Sequence, residues 1–303
     1  MRNETPISKM RRKEAIEGFL CISPWLIGLL FLTVGPVIFS FLISLTKWDM
    51  INSPQFVGLG NYATIIADDF RFRQSLRVTL IYAMVSVPLG LICSLALAML
   101  LNMNLKGMRL FRAIFYIPAI LPPIAVSMVW LMLFNAENGI LNVLLGKLHI
   151  APVPWLTSTE WALPSFILMS LWGVGGGMII YLAGLQSVPT QLYESAEIDG
   201  AGSWSKFRHV TLPMISPTIL FNLIMGIIGS FQVFASSFVM TQGGPAYSTL
   251  FYVLYLYQNA FMYLKMGYAC ALAWILFLVI LALTLLMLKA SKSWVYYESE
   301  LRK

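Results

Sequence analysis

Charged side chains are what this sequence has least of. Asp, Glu, Lys and Arg make up 11% of its 303 residues, 13 of them are acids, and histidine occurs twice. A soluble domain carries about 25% charged residues, so an ordinary water-soluble globule is excluded. Metal centres and acid–base catalysis need carboxylates, imidazoles or thiolates gathered in one constellation. His149 and His209 stand without such partners, and Cys21, Cys93 and Cys270 each fall inside an apolar stretch. No disulfide framework, metal site or enzymatic acid, base and nucleophile set is indicated. A Gly-x4-Gly-Lys-Ser/Thr run is also missing, so the chain has no phosphate cradle and should bind no ATP or Mg itself.

What is present in quantity is apolar length. Hydrophobic residues supply 59% of the chain, and stretches free of Asp, Glu, Lys and Arg run over 18–46, 78–105, 113–136, 161–193, 209–264 and 266–288. A helix needs about 20 apolar residues to cross the hydrocarbon core. The pattern predicts an all-α integral membrane protein with six transmembrane helices at about 19–44, 78–101, 112–134, 163–184, 214–239 and 267–288. These spans also lack buried Asp, Glu, Lys or Arg, whereas ion-coupled carriers usually hold an ionisable group near the midplane. A secondary, ion-coupled solute carrier is the alternative reading, weakened by that absence. Residues 246–264 are nearly long enough for a seventh span but are dotted with Tyr247, Tyr252, Tyr255, Tyr257, Gln258 and Asn259. Such a segment fits an interfacial or re-entrant helix better than a lipid-facing one.

The distribution of basic residues decides between six spans and seven. With six, one side holds Arg2, Lys9, Arg11, Arg12, Lys13, Lys106, Arg109, Arg112, Lys206, Arg208, Lys289, Lys292, Arg302 and Lys303. The other holds Lys47, Arg71, Arg73, Arg77, Lys147 and Lys265. The positive-inside rule then places both termini in the cytoplasm, with tails at 1–18 and 289–303. The net charge of +7 reads as membrane orientation and gives no nucleic-acid footprint, because the basic residues are dispersed over four short segments. The first apolar run is too long for a signal peptide and has no small-residue cleavage site, so it reads as an uncleaved span.

Residues 189–213, on the cytoplasmic side, have their own pattern. Pro189 suits a first helical turn and Gly200 a left-handed helix stop. Leu192, Ala196 and Ser195 should share one face of this short helix, flanked by Glu194 and Glu197, with Asp199 near its end. Ser203 can cap a second helix from Trp204, and Pro213 interrupts its passage into the next span. An amphipathic helix lying on the membrane surface is the competing interpretation.

The segment Glu194-Ser195-Ala196, three residues, Gly200, nine residues, Val210-Thr211-Leu212-Pro213 resembles the EAA loop of importers of the ATP-binding cassette (ABC) superfamily, with Ser195 in place of the second-position alanine. Gly58-Leu59-Gly60-Asn61-Tyr62, Tyr116-Ile117-Pro118, Gly139-Ile140-Leu141-Asn142, Thr241-Gln242-Gly243-Gly244-Pro245 and Gly267-Tyr268-Ala269 are similar to signatures of the carbohydrate branch. The resemblance covers nearly the whole chain and is to the larger membrane subunit of the maltose importer family, without its extra N-terminal spans and inserted outer domain. It implies the type I ABC importer permease fold in a bacterial or archaeal inner membrane. It further implies a second homologous permease, two ATPase subunits that bind ATP and Mg, and an extracytoplasmic solute-binding protein. Glu194, Ser195, Ala196, Asp199, Gly200, Leu212 and Pro213 would then couple the permease to an ATPase.

A solute path for sugars should be lined with neutral polar and aromatic groups. In the fifth predicted span Gly226, Ser230, Val233 and Ser237 recur at helical spacing, with Asn222 above and Gln232 beside them. Ser230 to Val233 fall, by resemblance, where the maltose subunit holds its sugar. Gly176, in the Gly173–Gly177 run, stands at a level where relatives carry bulkier residues. Small residues also serve helix–helix packing, which accounts for the same stripe equally well.

Overall fold

A computed structural model describes residues 6–103 and 105–296. Arg2, Arg302 and Lys303, with the ends of both predicted tails, lie outside the described residues. In chain order the elements are α1 (Pro6–Gly28), a π segment Leu29–Val34, α2 (Gly35–Ser44), β1 (Thr46–Lys47), β2 (Gln55–Phe56), α3 (Gly60–Asp68), α4 (Phe70–Leu101), α5 (Met108–Ile120), α6 (Pro123–Leu133) and α7 (Ile140–Lys147). There follow α8 (Ala162–Trp172), α9 (Gly175–Ser187), α10 (Thr190–Ile198), α11 (Ser203–Lys206), a π segment Phe207–Thr211, α12 (Leu212–Met214), α13 (Ser216–Phe231), α14 (Ala235–Met240), α15 (Tyr252–Tyr257), a π segment Gln258–Met262 and α16 (Met266–Ser291). Among the described residues the two strands form one antiparallel ladder, Thr46 opposite Phe56 and Lys47 opposite Gln55.

Four helical segments are long and apolar enough to cross a membrane, Arg12–Ser44, Phe70–Leu101, Ser216–Met240 and Met266–Ser291, and the count rises to six when each of two bent pairs is taken as one span. The bends have local causes. Between α5 and α6 the axis turns by 97°, because Leu121 and Pro122 each precede a proline and take extended ψ angles of 143° and 133°. The predicted span 112–134 is therefore two helices and no straight crossing. Between α8 and α9 the 44° bend falls at Gly173 and Val174. Two π segments end two residues before a proline, Pro36 and Pro213. A proline lacks the N–H and pushes against the carbonyl four residues back, and a wider turn relieves both. The Gly35 N–H accordingly reaches the Leu30 carbonyl, and the Leu212 N–H that of Phe207.

The chain forms two compact units. One comprises residues up to Thr64 with Asn259–Trp274. Within it Trp274 meets Phe41 edge to face at 5.1 Å and donates from Nε1 to Ser40 Oγ at 3.2 Å. Asn61 Nδ2 donates to the carbonyls of Ser44 and Thr46 at 2.8 and 2.9 Å, pinning the hairpin to the end of α2.

The other unit comprises Ile65–Gln258 and residues from Ile275 onward. α4 is its central element, packed by α8, α9, α13 and α15. It buries small and hydroxylated positions, Ser75, Thr79, Ser94 and Ala98, which let neighbouring backbones approach closely. The ambiguous aromatic segment as far as Gln258 is here: Phe251 and Tyr252 are fully buried, the Tyr252 N–H donates to Thr79 Oγ1 at 3.0 Å, and Tyr255 donates to Asp69 Oδ2 at 2.5 Å. The rings of Phe251, Tyr252 and Tyr255 thus face protein, with Tyr82 and Phe251 centroids 5.0 Å apart, while Tyr247, Phe261 and Tyr263 are exposed.

Candidate coupling elbow and solute cleft

The loop singled out by the sequence folds as helix, elbow and helix. α10 stops through two bonds, from the Gly200 N–H to the Glu197 carbonyl at 3.0 Å and from the Ala201 N–H to the Ala196 carbonyl at 2.8 Å. This is the Schellman pattern, and it requires the left-handed φ of +78° that Gly200 adopts. A Cβ there would meet no atom within 4 Å, so the demand for glycine is one of backbone conformation alone. Ser195 donates to the Gln191 carbonyl at 2.8 Å, which satisfies its hydroxyl inside the helix and lets it stand in for alanine. Tyr193 and Thr211 hydroxyls lie 3.0 Å apart and join the two arms. Tyr193, Val210 and Met214 pack on a buried cluster that includes Leu101, Tyr181 and Leu185.

Several local expectations change. Pro189 is the N-cap, with ψ 130°, and is not in the first turn. Ser203 opens α11 after an N-cap at Gly202 and caps nothing through its side chain. Pro213 sits within α12, and the break falls two residues later, at Ile215. The inward face of α10 carries Tyr193 and Ala196, while Leu192 is 40% exposed. Glu197 pairs with Lys206 at 3.7 Å; Glu194 and Asp199 make no ion pair among the described residues. Sequence reasoning passed over the two most exposed apolar side chains here, Ile198 at 87% and Trp204 at 71%. Their signal was large apolar residues in a loop outside every apolar stretch.

A cleft of about 340 Å³ opens among α4, α8, α9 and α13. Of the predicted stripe, Asn222, Gly226, Ser230 and Val233 line it. Gln232, Ser237 and Gly176 do not. Gln232 follows the last turn of α13 and is exposed. Ser237 is fully buried and donates to the Thr249 carbonyl at 2.7 Å, holding the loop after α14. A Cβ on Gly176 would face Ala119; it is Gly177, one residue on, whose Cβ would meet Ser94 Oγ at 2.9 Å and Asn222 Oδ1 at 3.3 Å. Tyr82, Ser86, Ser94 and Ser170 complete the polar lining, and no charged residue belongs to it. The α4 hydroxyls were invisible as a set because only the packing of α4 against α9 and α13 directs them to one place. Gly226 serves both readings, since it lines the cleft and lets Val87 approach to 3.2 Å of its Cβ position.

A polytopic helical body with an uncharged cleft and a rigid, water-facing elbow defines a membrane permease. Residues 86–293 match the family of binding-protein-dependent transport system inner membrane components, and the chain belongs to that family. It is 38% identical to the probable ABC transporter permease protein YesP of Bacillus subtilis, over 97% of this chain and 96% of that one. It is 34% identical to the trehalose/maltose transport system permease protein MalF of Thermococcus litoralis, over 94% and 97%. A chain in the crystal structure of a bacterial alginate ABC transporter, in complex with an alginate pentasaccharide-bound periplasmic protein, superposes with a TM-score of 0.81 at 23% identity, over 96% of this chain and 98% of that one, which establishes the type I permease fold. The chain is thus a multi-pass membrane subunit of an ABC importer, and it is not an enzyme.

Proposed function

We propose that this permease translocates a carbohydrate or a related polar solute, delivered by an extracytoplasmic binding protein, and that the elbow around Gly200 docks into a separate ATPase. The observation that carries the docking assignment is the exposure of Ile198 and Trp204 beside Glu194 and Asp199 on a preformed elbow. Apolar anchors ringed by charge on a rigid element are what interfaces are built around. The assembly comprises this chain, a second homologous permease, two ATPase subunits holding ATP and Mg, and the binding protein. The window of α1 and α2 that spans the membrane is 6% buried, against 28% for α4, leaving a long apolar face for lipid or for the second permease. Residues 1–18 and 289–303 lie in the cytoplasm, and the six spans fall within 19–288.

The cleft supports the carbohydrate class. Its hydroxyls and the Asn222 amide can exchange hydrogen bonds with sugar hydroxyls, and its uncharged lining imposes no ion-pairing demand. Relatives whose names state a sugar add weight. The expected test outcome is that the purified chain alone neither binds nor hydrolyses ATP, while the reconstituted complex hydrolyses it faster when sugar-loaded binding protein is added. Specific ATP binding by the isolated chain would overturn the division of labour. Reporter fusions should read outside after Leu148 and cytoplasmic at the C-terminus; an outside C-terminus is incompatible with six spans.

A further inference from the structure

A second cleft, of about 790 Å³, lies wholly within the unit of residues up to Thr64 and Asn259–Trp274. Neither the elbow nor the solute cleft uses it. It sits at the ends of two membrane-length helices, since α2 stops at Ser44 just before its first wall and α16 starts at Met266 within its last. The walls are fixed. Asn61 ties α3 to the end of α2 as described, the Gly267 N–H donates to the Trp48 carbonyl at 3.2 Å, and Trp48 Nε1 donates to the Asn52 carbonyl at 2.9 Å. A Cβ on Gly267 would overlap the Thr46 carbonyl, so hairpin and helix touch backbone to backbone.

The charges in this cleft are unbalanced. Lys47 and Lys265 both line it, both are exposed, and neither forms an ion pair among the described residues. Asp49 is its single acid. The carboxylate accepts the Asn52 N–H at 2.8 Å, the Ile51 N–H at 3.1 Å and Asn52 Nδ2 at 2.7 Å. Those bonds, the Asn52 N–H first, hold its carboxyl below the usual range, so it is ionised and already occupied. The two ammonium groups remain for a ligand. Adjacent in the chain to lining residues Asn52, Gln55, Val57 and Gly60 are Ile51, Phe56 and Leu59, at 78%, 77% and 70% exposure, and Val37, Ile38 and Leu42 are exposed along α2. Lysines, aromatic rings and bare aliphatic side chains at the end of a membrane helix mark the headgroup zone.

We propose that this cleft binds the headgroup of an anionic glycerophospholipid, with Lys47 and Lys265 facing its phosphate and the acyl chains following the exposed apolar side chains of α2. A soluble phosphate ester offers the lysines the same anion. It would leave those apolar side chains in water, and the lipid covers them. The experiment uses the full-length chain in nanodiscs of phosphatidylcholine doped with phosphatidylglycerol, with retained lipid read by native mass spectrometry. The wild type should retain phosphatidylglycerol in preference to phosphatidylcholine. A Lys47→Gln/Lys265→Gln variant should lose about 30-fold of that preference, the loss expected for two interfacial lysines, while Lys13→Gln/Lys147→Gln keeps it. Undiminished enrichment in the first variant, or an equal loss in the second, overturns the site. Displacement of the lipid by soluble glycerol 3-phosphate overturns the lipid as occupant.

Discussion

The elbow and the solute cleft are built by opposite means. The elbow closes on itself within Pro189–Met214 through the Gly200 and Ala201 amides and the Tyr193–Thr211 contact. It shows water two bare apolar side chains and two uncommitted acids. The cleft gathers residues from Tyr82 to Val233, glycines and hydroxyls beside apolar Leu91, Ile180 and Met225, and none of them charged. One region concentrates its requirement in a single backbone conformation, and the other spreads it over many side-chain volumes. Under the proposed function, a substitution in the elbow should therefore act on docking through shape and charge, and one in the cleft on passage through size.

The largest effects should come from the elbow. Gly200→Val forces a β-branched residue to a φ that costs an ordinary residue about 1–2 kcal/mol, and Glu194→Lys reverses a charge at a docking contact worth about 2–5 kcal/mol. Gly200→Val should cut ATPase co-purification by about 5- to 30-fold and Glu194→Lys by tens- to thousands-fold, both with a matching loss of ATP-driven uptake and with membrane insertion intact. Ile198→Asp should weaken docking by at least tenfold, as loss of a central anchor of about 2 kcal/mol does, without lowering the chain's thermal stability. Normal pull-down and uptake in all three variants would break the contrast at its elbow end.

Intermediate effects separate lining from non-lining positions. Ser230→Leu inserts bulk into the cleft, and overpacking of about 1–3 kcal/mol should lower uptake roughly tenfold while basal ATPase activity of the complex persists. Gln232→Leu, two residues on and exposed outside the cleft, should leave uptake within about twofold, the range of surface changes. Equal losses at both positions would mean that the stripe acts through helix packing. The smallest effect belongs to Ser237→Ala. It removes one buried bond to the Thr249 carbonyl, worth about 1 kcal/mol, so the melting midpoint should fall by a few degrees while uptake per folded molecule is unchanged. A specific change in solute affinity would return Ser237 to the path.

Legibility followed the range of the interactions. The Glu194-to-Pro213 spacing and the glycine stop could be read in the sequence because a Schellman closure is a matter of residues within one turn. That Tyr193 turns inward is not legible from the helix alone, since the partner that decides it, Thr211, lies on the other arm. The stripe on α13 was legible as a periodicity, but where it stops was not. α13 ends at Phe231, so Gln232 and Ser237 leave the helical register on which the extrapolation depended.

The sequence by itself determined that this is a helical membrane protein without a nucleotide cradle, and where its elbow turns, because apolar length, missing motifs and a left-handed glycine are properties of short segments. Only the tertiary structure decided which small residues share the cleft, that Gly177 faces it where Gly176 does not, and that Tyr252 and Tyr255 of the tyrosine-rich segment are buried where α15 packs on α4. Helices rich in small side chains admit many packings, and the one adopted is selected by backbone approaches between residues far apart in the chain.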